Sequence, residues 1–443
     1  MSVRVRYPIQ GRTANDLAAS VEDAIRRGRL APGAALPTVR ALATRLGISP
    51  ATVAAAYRGL QSRGLAAGQG RRGTRVAFRP PLSTPRSGTD VPSNLRDLAT
   101  GNPDPALLPP LRPALAALRL EPRLYNEPAQ HRPLIELAAK KLAADGIPSE
   151  SLALVGGAMD GVERVLLAHL RPGDRVGVED PGYPGVLDLM GALGLVAEPM
   201  LMDDDGVRPE ALASALARGA RAVVLTPRAQ NPTGAALTPP RARRLRALLD
   251  EHPGVLVVED DHAGPVAGAP ALTVCHRQRP LWAVVRSVSK WLGPDLRLAL
   301  LAGDAATIGR VEGRRALGSG WVSHLLQELV HALWSDPRTE ARLRSAAATY
   351  RERRHALVHA LARRGIPAQG RSGLNVWLSV PEEAPVIAAL SAAGWAVRGG
   401  ERYRVRSGPA IRITIATLVP RDAERLADDL ARVLRPDRRT APA

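Results

Sequence analysis

The chain has 443 residues, of which 45% are hydrophobic and 23% charged, so its composition fits a globular protein of two or three domains. The single cysteine, Cys275, excludes an internal disulfide, and the lack of an 18-residue apolar run favours a cytoplasmic protein without a membrane segment. The net charge is +19, and residues 1–80 hold fourteen arginines against three acidic residues, which suggests a polyanionic partner for that segment.

The first eighty residues predict three short helices and then a hairpin. The apolar stripe of "TANDLAASVEDAIRRG" predicts a helix with Thr13 as its N-cap. A second helix, "PTVRALATRLG", ends at Gly47, and Ser49 is the N-cap of a third, "SPATVAAAYRGLQSRG". Two helices joined by a short turn with glycine form a helix-turn-helix, and "LAAGQGRRGTRVAF" adds the hairpin of a wing.

The segment "GRLAPGAALPTVRALATRLGISPATVAAAYRGLQSRGL" resembles the GntR-type winged-helix DNA-binding domain, and the resemblance covers residues 11–78. It implies that the partner is double-stranded DNA and that the second helix of the pair enters the major groove. The positions offered for base or phosphate contacts are Ser49, Ala51, Thr52 and Arg58, and those offered for phosphates are Arg40, Arg71, Arg72 and Arg75. We therefore assign residues 1–78 to a DNA-binding domain.

A segment rich in proline and serine, residues 79–95, predicts a linker, and the pattern changes after it. Buried-type strands such as "DRVGVED", "VLVVEDD" and "LWAVVRSVS" alternate with amphipathic helices, which predicts an α/β domain with a mostly parallel sheet over residues 96–335. Over residues 336–443, a long arginine-rich helix leads into a smaller α+β domain with a short tail. The predicted fold class is multidomain, an α+β winged helix-turn-helix followed by an α/β body.

The scarcity of lysine marks one position of the body. The chain has 61 basic residues but only three lysines: Lys140 and Lys141 on a predicted helix, and Lys290 in "SVSKWLGPDLR" after a predicted strand. Arginine carries the same charge but stays protonated and cannot form an imine, so a retained lysine indicates a need for an amine. Chance survival of the lysine is the alternative.

The same segment resembles the S-x-S-K-x-x-x-P-x-x-R motif of fold-type I pyridoxal-phosphate proteins. The resemblance implies that Lys290 holds pyridoxal 5'-phosphate as a Schiff base. The phosphate contacts that it implies are Ser287, Ser289 and Arg297, together with the backbone N–H groups of Gly157, Ala158 and Met159 at a helix start. Other segments follow in the order of the aminotransferase class I and II fold, from about residue 97 to residue 434.

These segments supply the remaining site residues that the resemblance implies. Tyr183 in "EDPGYPG" is placed to stack on the cofactor ring, and Asn231 in "NPTG" to bind the ring hydroxyl. Asp260 in "VVEDDHAG" is chosen as the partner of the ring nitrogen, with its neighbour Asp261 as the alternative. His262 stands where a tyrosine often supports the hydroxyl edge of the cofactor, and it could donate a hydrogen bond there.

Near the end of the chain, Arg412 in "SGPAIRITIA" stands where the family binds a substrate carboxylate, which makes it the expected effector contact. Asn375 in "GLNVWLSV" is unusual for the family. No metal site is expected.

A winged helix, a linker and an aminotransferase-like body, in this order, resemble the MocR/GabR family of transcription regulators. The resemblance implies a homodimer, with a head-to-tail arrangement, in which pyridoxal 5'-phosphate or its adduct with an amine or amino acid effector shifts DNA binding. Three alternatives stay open: a working aminotransferase with an accessory DNA-binding domain, a regulator whose body is a cofactor-free dimerisation scaffold, and a sensor of pyridoxal phosphate alone. Whether the body turns over substrates is left undecided.

Overall fold

The structure is a computed structural model that describes residues 9–62, 65–68, 73–77, 91–118 and 121–434. Two of the predicted phosphate contacts, Arg71 and Arg72, and most of the predicted linker lie outside these ranges. One hydrophobic core is built from side chains between residues 9 and 76, and the main core of the body from side chains between residues 98 and 430.

The N-terminal part contains the predicted helices and hairpin. Its described elements are α1 (Ala14–Arg26), α2 (Val39–Leu46), α3 (Pro50–Ser62), β1 (Ala66–Gly68) and β2 (Thr74–Val76). The two strands pair antiparallel, as a wing requires. The side chains of Val53, Tyr57 and Leu60 are buried on one side of α3, and the Tyr57 hydroxyl donates to the Pro37 carbonyl at 2.8 Å, next to the start of α2.

Local signals set the ends of these helices. The Thr13 and Asp16 side chains each accept a hydrogen bond from the other residue's amide, which forms a capping box at the start of α1. Gly47 ends α2 with a φ of 63°, in the left-handed region that glycine enters without steric cost. The Ser49 hydroxyl accepts from the Thr52 amide at 3.1 Å at the start of α3. The predicted caps are confirmed.

The body is organised around a large mixed sheet. The described strands of this part of the chain are β3 (Arg96–Asp97), β4 (Leu152–Val155), β5 (Arg175–Asp180), β6 (Val196–Asp203), β7 (Gly206–Val207), β8 (Ala220–Leu225), β9 (Leu256–Asp261), β10 (Trp282–Ser287) and β11 (Ala299–Gly303). Among the described residues, eight of these strands form one sheet in the order β4-β11-β10-β9-β8-β5-β6-β7.

The strand directions explain where the functional residues gather. β8, β9 and β10 run parallel, so their carboxyl ends meet at one edge of the sheet. β11 is antiparallel to both β10 and β4, which the sequence pattern did not reveal because a fully buried strand reads as an apolar run in either direction. The predicted α/β class of the body is confirmed, and the sheet expected to be mostly parallel is a mixed one.

Helices pack against this sheet. The described helices of the body are α4 (Leu111–Ala116), α5 (Arg132–Ala144), α6 (Ala158–His169), α7 (Pro184–Ala192), α8 (Pro209–Ala217), α9 (Pro239–Asp250), α10 (Ala305–Ala316), α11 (His324–Ser335) and α12 (Pro337–Ala362). α5 shows the reason, since Leu134, Ala138 and Leu142 recur four apart and are all buried. The helix that carries Lys140 and Lys141 is the one predicted for them.

The long helix α12 leads into the smaller C-terminal part. This part contains β12 (Asn375–Ser379), α13 (Glu383–Ala392), β13 (Trp395–Ala396), β14 (Arg398–Gly399), β15 (Ala410–Thr414) and α14 (Pro420–Leu434). In the described chain, β12, β15 and β14 form an antiparallel sheet, while β13 pairs in parallel with β3. None of the described helices combines the length and the apolar character needed to cross a membrane.

Candidate functional site

The candidate site lies at the carboxyl ends of β9 and β10. Asp260 and Asp261 end β9, Ser287 ends β10, and Lys290 follows in the turn after it. Asp260 pairs in register with Val285 and Asp261 with Arg286. Since successive side chains of a strand point to opposite faces, the two aspartates serve different sides of the sheet.

Lys290 is held with its amine inside the site. Its Nζ donates to the Gly101 carbonyl at 2.6 Å. Burial, and then the nearby charge of Arg412, lower the pKa of Lys290 to about 8. Because a neutral amine is the nucleophilic form, this shift favours attack on an aldehyde near neutral pH.

Asp260 is buried without a counterion. Its Oδ1 has no hydrogen-bond partner among the described residues, and the whole residue is 6% exposed. Burial, and then the charges of Asp261 and Glu179, raise the pKa of Asp260 to about 7. A buried carboxylate in this state is set up to pair with a cationic group that enters the site, such as a protonated ring nitrogen.

Asp261 already has its partners. Its two carboxylate oxygens accept from Arg228 Nε and Nη2, both at 2.8 Å, and from Arg286 Nε at 2.7 Å. Although burial opposes ionisation, the two guanidinium groups hold the pKa of Asp261 below its usual range. The geometry therefore favours Asp260 over Asp261 as the partner of a bound cation.

The residues expected to contact a phosphate include the start of α6 and Arg297, which the structure brings together. Gly157, with a φ of 102°, precedes this helix, and a Cβ added to it would lie 3.1 Å from Arg297 Nη2. Arg297 donates from Nη2 to the Gly156 carbonyl at 3.2 Å and is otherwise exposed. Ala158 and Met159 begin the helix, so their N–H groups are free of helical partners and can receive an anion. The Ser289 amide donates to the Ser287 hydroxyl at 3.2 Å, which keeps both serines at this edge.

Asn231 and Arg412 lie next to each other in the site. Arg412 Nη1 donates to Asn231 Oδ1 at 3.2 Å, and Asn375 Nδ2 approaches the same oxygen at 3.4 Å. Both contacts use the amide oxygen of Asn231, so its N–H₂ group remains to donate to a ligand hydroxyl. Tyr183 is 40% exposed, and the charge of Arg412 is among those that act on its hydroxyl.

His262 differs from the expectation in its hydrogen bond. Its Nε2 lies 2.9 Å from the Ala229 carbonyl, and a carbonyl can only accept, so this nitrogen carries the proton. Burial, and then the charge of Lys290, lower the pKa of His262 to about 4, which keeps the ring neutral. The N–H group of His262 thus donates to the Ala229 carbonyl and not to a ligand. Its other ring nitrogen, Nδ1, carries no proton, so it can only accept a hydrogen bond from a ligand.

The sequence did not reveal three further residues of the site. Gly101 accepts the hydrogen bond from Lys290, and the Tyr403 ring lies 5.2 Å below the Arg412 guanidinium. Asp180 accepts from the amides of residues 405–407, so it fixes the segment after Tyr403. The contacts of Gly101 and Asp180 join positions more than 180 residues apart, so sequence spacing does not reveal them. For Asp180 alone there was a signal, since it lies close to Tyr183, the residue predicted to stack on the cofactor ring.

The residues of this site fit pyridoxal 5'-phosphate. They offer a buried amine, an unpartnered carboxylate and an anion cradle that combines Arg297 with the start of α6. When bound, this cofactor supplies an aldehyde that condenses with a primary amine, and a ring that withdraws electrons from the attached carbon. Among the described residues, no cluster of histidine, cysteine and acidic side chains could hold a metal ion.

Comparisons with known proteins agree with both parts of the chain. The family model "Aminotransferase class I and II" matches residues 94–430, and "Bacterial regulatory proteins, gntR family" matches residues 13–76. The vitamin B6 salvage pathway transcriptional repressor PtsJ of Salmonella typhimurium (strain LT2) is 41% identical over 96% of this chain and 99% of its own length. The chain belongs to the MocR-type transcriptional regulators.

This MocR-type regulator also resembles proteins at lower identity. The regulator TauR of Rhodobacter capsulatus is 28% identical over 84% of this chain and 85% of its own length. The α-aminoadipate aminotransferase LysN of Thermus thermophilus superposes with a TM-score of 0.67 at 24% identity, over 77% of this chain and 92% of that chain. The likeness to LysN shows a shared fold. The regulator is thus a DNA-binding transcription factor whose body binds pyridoxal 5'-phosphate.

The predicted DNA contacts of the regulator differ in how their side chains are engaged. Arg40, Ala51 and Arg58 are exposed on α2 and α3. The Ser49 and Thr52 hydroxyls are 2.9 Å apart and bond to each other at the start of α3, so part of their capacity is used locally. Arg75 Nη1 donates to the Gly33 carbonyl at 2.9 Å, which fixes the wing strand to the loop before α2.

The raised pKa of Asp260 predicts how the stability of the cofactor-free regulator depends on pH. The folded state binds this proton more tightly than the unfolded state does, so the contribution of Asp260 to stability is full below pH 4 and is lost as pH rises toward 7. Asp260→Asn lacks this titration. We therefore expect its free energy of unfolding to rise by roughly 2–3 kcal/mol relative to that of wild type between pH 5 and pH 7.5. Urea unfolding of both proteins at the two pH values measures this, and a constant difference would contradict it.

Proposed function

We propose that this regulator represses genes of vitamin B6 supply and that pyridoxal 5'-phosphate is itself the signal that it reads. The observation that carries the proposal is the pairing of a site suited to the cofactor with 41% identity, over nearly the whole chain, to a vitamin B6 salvage pathway repressor. A second relative, the pyridoxine biosynthesis regulator PdxR of Corynebacterium glutamicum, is 30% identical over 54% of this chain and 53% of its own length.

The state of Arg412 supports a signal without an amino acid. Arg412 is 3% exposed, and it donates from Nη2 to the Ala99 carbonyl and from Nη1 to Asn231. These contacts fix the guanidinium within the protein, and a carboxylate could use only the N–H groups that they leave over. The Nε of Arg412 has no partner in the described chain, however, and this atom supports an amino acid effector as the second candidate.

A DNA-binding titration separates the two candidates. An operator fragment selected from random DNA by the purified protein is titrated with cofactor-loaded regulator, in the presence and absence of a mixture of amino acids. We expect the cofactor alone to produce the full change in DNA affinity, with wild type and Arg412→Ala responding alike. A further change in DNA affinity on adding amino acids, absent in Arg412→Ala, would establish the second candidate. Steady transamination, measured in a separate assay, would support the enzyme alternative.

We also propose that the regulator works as a head-to-tail homodimer. Large apolar side chains stand exposed around one surface of the body: Tyr125 at 93%, Leu317 at 91%, Leu124 at 65% and Leu325 at 54%. Tyr125 also packs edge-on against Trp321, with ring centroids 5.8 Å apart. Exposed apolar surface on this scale is typical of a surface that a partner covers, and a second copy of the chain is the partner that we propose.

This proposal predicts a dissociated variant. Tyr125→Asp with Leu317→Asp places two charges in the proposed interface, so we expect a monomer in sedimentation velocity at concentrations where wild type is a dimer. Leu201→Asp, on the exposed side of β6, is the control and should leave the dimer intact. A dimer that survives the double substitution would place the interface elsewhere.

The two arginines predicted for the wing, Arg71 and Arg72, give a test of the DNA-binding part. We expect Arg71→Ala with Arg72→Ala to weaken binding to all DNA sequences and to reduce the slope of log K against log salt by about 1.8, because two phosphate contacts are lost. The control pair Arg243→Ala with Arg244→Ala removes the same charge from an exposed side of α9. An unchanged slope in the wing variant would refute the assignment.

A further inference from the structure

A cavity separate from the candidate cofactor site lies on the face of the sheet that carries Asp261. It has a volume of about 380 Å³ and is walled by α5, α11, α12, the segment after β8 and the end of β10. Pro265, Trp334 and Leu343 form an apolar wall. The cationic residues that line it are Lys141, Arg228, Arg286, Arg344 and Arg351. A cavity with one apolar wall and a cationic lining is typical of sites for small organic anions.

The deepest cation of this cavity has an unused donor. The Arg286 side chain is only 3% exposed, with Nη1 2.6 Å from Asp145 Oδ2 and Nε 2.7 Å from Asp261 Oδ2. Its Nη2 is buried and has no hydrogen-bond partner among the described residues. Arg286 therefore keeps a donor that its two carboxylate partners do not use.

The charges of the lining point to the same conclusion. Asp261 and Asp145 neutralise the two inner arginines, Arg228 and Arg286. At the rim, Glu340 is shared between Lys141 at 3.6 Å and Arg344 at 3.2 Å. Arg351 adds a further positive charge, so the five cations exceed the three carboxylates by two. A ligand with two negative charges would balance this surplus.

We propose that this cavity binds a small organic phosphate, with the phosphate at Arg286, Arg344 and Arg351 and the organic part against Trp334. The site is distinct from the one that holds the cofactor, since the two lie on opposite faces of the sheet. The proposal does not depend on which genes the regulator controls.

The cavity is connected to the cofactor site through short covalent and packing contacts. Arg228 precedes Ala229, whose carbonyl holds His262, and Arg286 precedes Ser287 of the phosphate cradle. Trp334 packs edge-on against Trp291 with ring centroids 5.2 Å apart, and Trp291 follows Lys290 and donates to the Ser287 carbonyl at 2.6 Å. A ligand that draws Arg286 or Trp334 into new contacts therefore acts on residues next to Lys290.

Calorimetric titration of the cofactor-loaded, full-length regulator with inorganic phosphate at constant ionic strength tests the proposal. Loading fills the cofactor's own phosphate cradle, so that cradle cannot report. We expect one saturable site per chain, weakened about tenfold or more by Arg344→Ser with Arg351→Ser, because two charge-assisted contacts are lost. Ala347→Phe, which fills the cavity and keeps every charge, should weaken it as well.

The control pair is Arg243→Ser with Arg244→Ser, which removes the same charge from α9 and should bind phosphate as wild type does. Acetate at the same ionic strength should compete poorly, since it carries one charge. The proposal is overturned if phosphate shows no saturable binding, if the cavity variants and the α9 control bind alike, or if acetate competes as well as phosphate does.

Discussion

Lys290→Ala will abolish covalent retention of pyridoxal 5'-phosphate. After borohydride reduction and denaturation, wild type is expected to carry one cofactor per chain by intact-protein mass spectrometry, and the variant none. The physical reason is that Lys290 supplies the amine of the site, held at 2.6 Å from the Gly101 carbonyl with a pKa lowered to about 8. The effect is all-or-none, because no other side-chain amine of the described chain lies in the site.

Two further variants separate the amine from its charge. Lys290→Arg keeps a cation at the position but cannot form the covalent bond, so it should lose the adduct as completely as alanine does. Lys140→Ala with Lys141→Ala removes the chain's other lysines, which lie on α5, and should retain the adduct in full. Cofactor that remains attached to the Lys290→Ala protein would show that the bond forms elsewhere.

Asp260→Asn and Asp261→Asn will have opposite effects, although the residues are adjacent. Asp261→Asn leaves the two buried arginines Arg228 and Arg286 with Asp145 as their one remaining carboxylate, so we expect it to destabilise the body by about 3–5 kcal/mol. Asp260→Asn removes a buried charge that has no internal partner, so the cofactor-free variant should be at least as stable as wild type at neutral pH. The cofactor, however, should bind more weakly to it, because the cationic ring nitrogen loses its partner.

Urea unfolding of the cofactor-free proteins and spectroscopic titration with pyridoxal 5'-phosphate measure the two effects separately. The assignment of Asp260 requires loss of cofactor affinity without loss of fold. If Asp261→Asn stays folded and loses the cofactor while Asp260→Asn binds it normally, the two roles are exchanged and the assigned orientation of the β9 side chains is wrong.

Much of the fold could be predicted because its signals are local. Thr13 and Gly47 mark helix ends through their own hydrogen bonds and backbone conformation, and the buried strands read as apolar runs. Lys290 could be predicted for a different reason, which is that its side chain has a reactivity that the abundant arginines lack.

The unpredicted features depend on contacts between distant segments. Two adjacent carboxylates after a strand do not show which one is paired, since that depends on Arg228 and Arg286, which come from other segments of the chain. The donation of His262 to Ala229 and the contact of Lys290 with Gly101 likewise join segments that only the folded sheet brings together. Sequence spacing carries no record of such pairs.

The most direct test of the central claim, that cofactor bound at Lys290 sets the DNA affinity of the regulator, is fluorescence anisotropy with a labelled operator fragment. Cofactor-free wild type, cofactor-loaded wild type and Lys290→Ala with added cofactor are titrated at one fixed salt concentration. We expect DNA affinity to change about tenfold or more between the first two, which is the scale of typical coupling between sites, and to stay unchanged in Lys290→Ala. Equal DNA affinity for loaded and cofactor-free wild type would contradict it.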